Sequence, residues 1–316
     1  MRNERVKSAA TAASGASISR RAKGNNMRIP VLLYHSMNIS GNDYPSNDHV
    51  ALHSDLRYVT ARGYRILPLH QIVAAWLESP QRLEGERIVA LTCDDGPDFD
   101  FRDLEHPTAG SQRSFLNILR DFRAEFPSAQ PGLFMTSFVI AAPVARTILD
   151  RACMVGKGWM NDDWWTAAVD SGLMGIANHS WDHNHEALRD GKFPDLRRGT
   201  FASIDTRVLA DHQIAKAGDL LRRLAPNPDA SLFAYPFGRA NRFLRRTYFP
   251  AHAERLGIVA AFTDAAQPLT PRADRWAMPR FTCGRDWRSE EGLKVILDDC
   301  QRRPHVWMGL EFGAAR

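Results

Sequence analysis

Two acids side by side and two histidines four residues apart are the places where this sequence can do chemistry. Thr92-Cys93-Asp94-Asp95-Gly96-Pro97 closes an apolar run, and His179-Ser180-Trp181-Asp182-His183 follows a shorter one. A carboxylate buried without a partner is costly, so adjacent acids at a strand end are either a turn with a helix cap or part of a site. The histidine pair favours the second reading. Spaced by four, the imidazoles share a face if their segment is helical, and both then address one ion. Joined by a strand-terminal carboxylate they make a His2Asp set with positions left for water, which belongs to catalysis rather than to structure. Asp95, His179 and His183 are therefore the expected metal ligands, and Asp94 the base that takes a proton from the attacking water. An oxyanion needs a backbone donor as well, and a leaving amine needs an acid opposite the base. His35, ending Leu33-Tyr34-His35-Ser36, is the candidate acid, against a plain reading as a hydrogen-bonded or surface histidine. The ligand set suits zinc, with cobalt, nickel or iron as fits of similar chemistry. His185 and Asp98 stand close to these motifs; His185 either lines the cleft or bonds to a helix it starts, and Asp98 is equally open.

The elements that must position these residues alternate. Apolar runs at 29–34, 65–69, 88–93, 133–140, 175–178, 232–235, 258–262 and 276–281 read as strands. Helical stretches are expected at 53–62, 70–77, 112–122, 204–224, 241–256 and 290–299, with a helix start at Pro143 and a short helix capped by Asn161 or Asp162 and ended by Gly172. Seven or eight βα units without a break in composition predict one α/β domain over 29–316, a barrel or a doubly wound parallel sheet. Long connections at 37–50, 98–111, 153–160 and 184–199 would crowd the C-terminal face of a barrel, where sites lie.

The motifs resemble those of the NodB-homology polysaccharide deacetylases, carbohydrate esterase family 4. Thr-Cys-Asp-Asp-Gly-Pro is similar to Thr-Phe-Asp-Asp-Gly, and His-Ser-Trp-Asp-His to His-Ser/Thr-x-x-His. Leu133 to Val139 resembles the Ala-Thr-Phe-Phe-Val strand in relaxed form, and Phe233-Ala234-Tyr235-Pro236-Phe237-Gly238 the Arg-x-Tyr-Pro-Tyr-Gly motif. Within the family, Val31 to His35 and Gly63 to Leu69 look most like the poly-N-acetylglucosamine deacetylase branch. The resemblance implies a distorted (β/α) barrel of seven or eight strands and hydrolysis of an N-acetyl or, less often, an O-acetyl group. It implies a divalent metal, usually zinc, on Asp95, His179 and His183, with Asp94 as base, His35 as acid and the Tyr235 N–H at the oxyanion. The third-motif arginine is missing, because Leu232 and Phe233 stand in its place; Arg280 either supplies that charge to Asp94 from the last strand or is an ordinary surface arginine.

Composition bounds the rest. The 316 residues are 44% hydrophobic and 24% charged, which suits a chain that folds without staples. The net charge of +5 comes from the first 28 residues, where seven Lys/Arg face one acid; this basic stretch reads as a disordered tail, a targeting remnant or an early start codon. The nearly neutral remainder argues against nucleic-acid binding. No apolar run precedes Pro30, so neither a signal peptide nor a membrane span is expected, and a cytoplasmic location follows. Cys93, Cys153, Cys283 and Cys300 read as buried thiols in a reducing compartment, with a disulfide as the alternative. Trp181, Trp159, Trp164 and Trp165 are candidates for a sugar-facing surface, with the last two read as packing first. The leading expectation is a deacetylase of an N-acetylated sugar polymer or glycoconjugate. The alternatives are a hydrolase of a small amide, formamide or ureide, and an inactive carbohydrate-binding protein of the same fold.

Overall fold

A computed structural model describes residues 27–188 and 193–301. Its strands are β1 (Val31–Tyr34), β2 (Arg65–Ile66), β3 (Ile88–Asp95), β4 (Leu104–His106), β5 (Gly110–Gln112), β6 (Met135–Val139), β7 (Met174–Asn178), β8 (Leu232–Ala234), β9 (Ala260–Phe262) and β10 (Phe281–Thr282). The helices are α1 (Asp48–Ala61), α2 (Leu69–Glu78), α3 (Phe115–Glu125), α4 (Pro143–Cys153), α5 (Trp165–Asp170), α6 (Arg207–Ala210), α7 (Lys216–Leu224), α8 (Phe249–Leu256) and α9 (Glu290–Gln301). A π-helical turn, Asp211–Ala215, joins α6 to α7 without leaving helical backbone, and a second, Leu244–Tyr248, leads into α8.

The principal sheet runs β10-β1-β3-β6-β7-β8-β9 with every pair parallel, and β2 pairs with the start of β3. It curls into a half-barrel wrapped by helices, the distorted (β/α) barrel expected from the sequence. Its edges are linked by a single segment. Met278 N–H donates to Ala261 O at 2.8 Å and Met278 O accepts Thr263 N–H at 2.8 Å, while Phe281 and Thr282 pair with Leu32 and Leu33. Arg280 lies between those two attachments, which is why a residue near the end of the chain reaches the inside of the curl.

Strands buried on both faces read as continuous apolar runs, and the two faces form two cores. Val31, Ala90, Phe138, Ala177, Ala234 and Phe262 pack together inside the curl. Leu32, Leu91, Cys93, Met135 and Ile176 face outward against α1, α3 and α9. Most strand and helix expectations hold, with informative exceptions. The helix expected from 53 begins at Asp48 behind an Asn47 cap whose side chain accepts His49 N–H. The connection 98–111 contains the antiparallel hairpin β4-β5. Met27 is buried, Ile29 bridges Leu269, and Arg28 pairs with Asp299, so the folded body includes residues 27 and 28. Residues 1–26, where most of the expected tail lies, are outside the described residues, as are 189–192 of one long connection. Cys153 is exposed rather than buried, and all four cysteines are free thiols. Among the described residues no helix is long and apolar enough to cross a membrane.

Candidate active site

Alternation along β3 decides which acid faces where. Ala90, Thr92 and Asp94 point into the curl, and Leu91 and Cys93 away from it, so Asp94 inherits an interior position at the C-terminal end of the strand. It is 4% exposed and ionised. Burial alone would raise its carboxyl, but the Arg280 guanidinium and His179 outweigh that and hold it down at about 2. The contact is bidentate, Nη1 to Oδ1 and Nη2 to Oδ2, both 2.7 Å. Arg280 is itself fully enclosed, bonded through Nε to Thr263 O at 3.2 Å and set over the Phe138 ring. Of the two sequence readings of Arg280, the surface arginine is excluded.

Asp95 ends the alternation. Its φ of 75° turns the second carboxylate out of the strand direction, and Gly96 follows at φ 69°. A Cβ on Gly96 would stand 2.5 Å from Val139 Cγ1 and 3.0 Å from Val139 Cα, so only glycine lets the turn pass this close to β6. Among the described residues six non-glycine residues have positive φ, and five of them, Asp95, Ser180, His183, Asn184 and Phe237, lie around this point. Backbone strain of this kind persists only where surrounding contacts enforce it, and it gathers at functional sites.

Those contacts also correct the expected origin of the histidine pair. The segment after β7 is an irregular turn, not a helix. Ser180 Oγ accepts His183 N–H at 3.0 Å, and Asn178 Oδ1 accepts Ser180 N–H at 2.8 Å. Asn184 Nδ2 reaches Thr200 O at 2.7 Å and Arg197 O at 3.0 Å. From the far side the π-helical turn presents Gln213, whose carbonyl accepts Trp181 N–H at 2.7 Å and whose amide donates to Asp182 Oδ1 at 2.6 Å. Asn178, Asn184 and Gln213 are thus positioning residues that spacing alone did not reveal.

The result is a triangle of donors. His179 Nε2 and His183 Nε2 each lie 3.6 Å from Asp95 Oδ1, too far for hydrogen bonds, and the three ligand atoms fall within 4.8 Å of one another. Ligands about 2.1 Å from a tetrahedral ion stand roughly 3.4 Å apart, so the spacing fits one small cation. The His179 Nδ1–H donates to Ala234 O at 3.0 Å, which leaves Nε2 with its lone pair toward the triangle, as ligating histidines require. Burial and the neighbouring His179 and His185 push His183 well below its ordinary range, and so keep it neutral. The residues fit a divalent metal.

A cavity of about 290 Å³ joins this triangle to Asp94, Arg280 and His35. His35 faces it from the end of β1. His185 lines it too, with Nδ1 accepting Ala187 N–H at 3.1 Å, and stays outside the donor triangle. Asp98 is structural: it takes Asn161 N–H and Asn161 Nδ2–H, both at 2.8 Å, and fixes the 155–163 connection. The expected oxyanion donor is corrected. Tyr235 continues the β8 ladder, so its N–H is spent on Phe262 O at 2.9 Å and its hydroxyl on Trp276 O at 2.9 Å. Phe237 and Gly238, two and three residues on, form the cavity wall in its place, with the Phe237 ring 4.4 Å from that of His183. Among the described residues no tryptophan lines the cavity: Trp164 and Trp165 are core, Trp159 packs on Phe99, and Trp181 lies beneath Lys216.

Residues 82–248, more than half of the chain, match the sequence model of the polysaccharide deacetylases. The chain belongs to the polysaccharide deacetylase family. Solved structures repeat the fold of this chain at low identity. Streptococcus pyogenes deacetylase PplD, solved in complex with acetate, aligns with a TM-score of 0.56 at 18% identity over 86% of this chain and 99% of its own. A de-N-acetylase from Aggregatibacter actinomycetemcomitans gives 0.57 at 15% over 85% and 99%, and IcaB from Ammonifex degensii gives 0.53 at 17% over 87% and 98%. Among curated proteins nothing matches the chain.

Proposed function

We propose that this deacetylase is a metal-dependent hydrolase that removes N-acetyl groups from an N-acetylated sugar polymer or glycoconjugate. The observation that carries the reading is one cavity in which an arginine-clamped, ionised Asp94 stands beside the Asp95, His179 and His183 triangle, with His35 on the same wall. A divalent ion held by Asp95 Oδ1, His179 Nε2 and His183 Nε2 would polarise the acetyl carbonyl and acidify water beside it. Zinc suits the donors best, with cobalt, nickel or iron as substitutes. Asp94 accepts the proton of the attacking water at the carboxylate that Arg280 holds in place. His35 gives a proton to the departing amine nitrogen, so the sugar leaves neutral.

The polymer is favoured over a small amide by the surroundings of His35. Across His35 and Thr282 the catalytic cavity adjoins a second of about 540 Å³, lined by Asn38, Ser40, Ser46, Asp48 and Arg285. A site made for formamide or a ureide has no use for that polar extension, whereas a sugar next in a chain does. The test pairs metal content with substrate length. One equivalent of zinc should bind, and His179→Ala or His183→Ala should abolish it. Turnover should be faster on N-acetylglucosamine oligomers than on the monomer, and absent on formamide. Zinc bound with no preference for oligomers overturns the polymer reading, and normal turnover without metal overturns the metal.

A further inference from the structure

Three buried polar residues converge on the dipeptide that follows β1. His35 N–H donates to Asp48 Oδ2 at 2.8 Å, Ser36 Oγ–H donates to Asp100 Oδ1 at 2.5 Å, and Ser36 O lies 2.8 Å from His49 Nε2. Asp48 and His49 are 3% exposed, and Asp100 is 0% exposed. They arrive from separate connections. Asp48 and His49 form the first turn of α1, and the other His49 nitrogen is anchored 2.7 Å from Arg113 O just before α3. Asp100 closes the turn that begins at Asp94 and Asp95, and its second oxygen accepts Ser137 Oγ–H at 2.7 Å and the Cys93 thiol at 3.3 Å. A single carboxyl therefore ties the end of β1 to β3 beside Asp94 and to β6.

Stability does not account for this arrangement, since well-packed apolar residues serve as well as buried ionisable ones or better. Where the bonds end is more telling. On the β1 side all three finish on the backbone of His35 or on Ser36, and none on the His35 ring. The ring has no anchor of its own: Nδ1 is buried and makes no hydrogen bond within the described structure. The direction of the imidazole is thus inherited from its backbone, which the three residues fix relative to the strand that carries Asp94.

We propose that Asp48, His49 and Asp100 are positioning residues for deacetylation, acting through the His35–Ser36 backbone to aim the acid into the cavity beside the base. This rests on the reading of His35 as the acid. A misplacement of about 1 Å costs a reaction on the order of a hundredfold, so the cradle should be read in turnover rather than in binding.

The experiment is a double-mutant cycle on the zinc-loaded, full-length protein, with an N-acetylglucosamine oligomer as substrate. Ser36→Ala cuts the bond to Asp100, and His49→Phe keeps a ring between Phe99 and Phe115 while removing both of its polar contacts. Each is expected to lower kcat by about ten- to a hundredfold, with KM within twofold and zinc content unchanged. In a His35→Gln background the same substitutions should cost nothing further, because residues that act through one group are not additive. Losses that multiply on top of His35→Gln, or that fall on KM or zinc content, overturn the proposal while leaving His35 as acid. A His35→Gln protein with wild-type kcat overturns the acid assignment itself, and the proposal with it.

Discussion

At Asp94 and Arg280 a full ion pair is held out of water, and its two members are unequal in what their loss does. Removing one partner of such a pair leaves a bare buried charge and costs about 3–5 kcal/mol, whereas neutralising both sides costs far less. Arg280→Met should therefore lower the urea midpoint sharply, and Asp94→Asn added to it should restore part of the loss. A double variant less stable than Arg280→Met contradicts the account. Turnover should behave differently, since a positioned base contributes about 10²–10⁴-fold: Asp94→Asn alone should cut kcat by that order while zinc stays bound. That Asp94, Asp95, His179, His183 and His35 would meet in one cavity was legible in residue types and spacing. The Tyr235 donor was not, because whether an N–H is free depends on its ladder partner, and Phe262 is distant in sequence.

Among the elements, the turn after β3 and the π-helical turn before α7 do the positioning. Gly96→Ala forces a methyl into Val139, side chain and backbone together, so β3 and β6 must part or Asp95 must move. Zinc affinity and turnover should both fall, with a stability loss of about 1–3 kcal/mol; wild-type zinc affinity in a folded variant argues against this role for the turn. Gln213→Leu removes the amide on Asp182 and leaves the strands alone. Loss of such outer support typically costs 10–100-fold in metal affinity, measurable by zinc titration against a chelator, and an unchanged constant contradicts it. Strands were readable as apolar runs, and the end of α8 from Gly257. The extra turn at Asp211–Ala215 was not, since its residues fit an ordinary helix and the Trp181 N–H that meets the Gln213 carbonyl is distant in sequence. The start of α1 at Asp48 was hidden for a similar reason: its first turn buries polar residues that serve His35 rather than an apolar face.

Taken whole, the molecule buries carboxyls that hold their protons, and these contribute to its response to pH. Burial pushes Asp55 and Asp100 up to about 7, outweighing the donors around each: Tyr44, Tyr34 and Trp287 for the first, Ser36, Ser137 and Cys93 for the second. Both ionise near 3.9 once unfolded. From about pH 4 to 7 the native state then holds protons that the unfolded chain has released. The stability they contribute is complete below that window and is lost as pH rises through it, by up to about 1.4 kcal/mol per unit for each group. His49, His53 and His183, lowered by burial, contribute the opposite slope, so the sign is read by difference: the urea midpoint of the wild type relative to Asp55→Asn should fall between pH 5 and 7.5, and a difference that climbs across this range contradicts it. The half-barrel itself was foreseeable from alternating apolar and helical stretches. What closes it was not, because one segment around Arg280 bonds to β9 and β1 at once, and sequence order gives no sign of that. The proposed hydrolysis depends on the joint site of Asp94, His35 and the donor triangle. Its most direct measurement is acetate release from an N-acetylglucosamine oligomer by zinc-loaded protein, by the same protein after chelation, and by zinc-loaded Asp94→Asn. Acetate is expected in the first, loss on chelation with recovery on adding zinc in the second, and at least a hundredfold reduction in the third. Oligomer and zinc bound with no acetate released would instead make this a binding protein on a deacetylase fold.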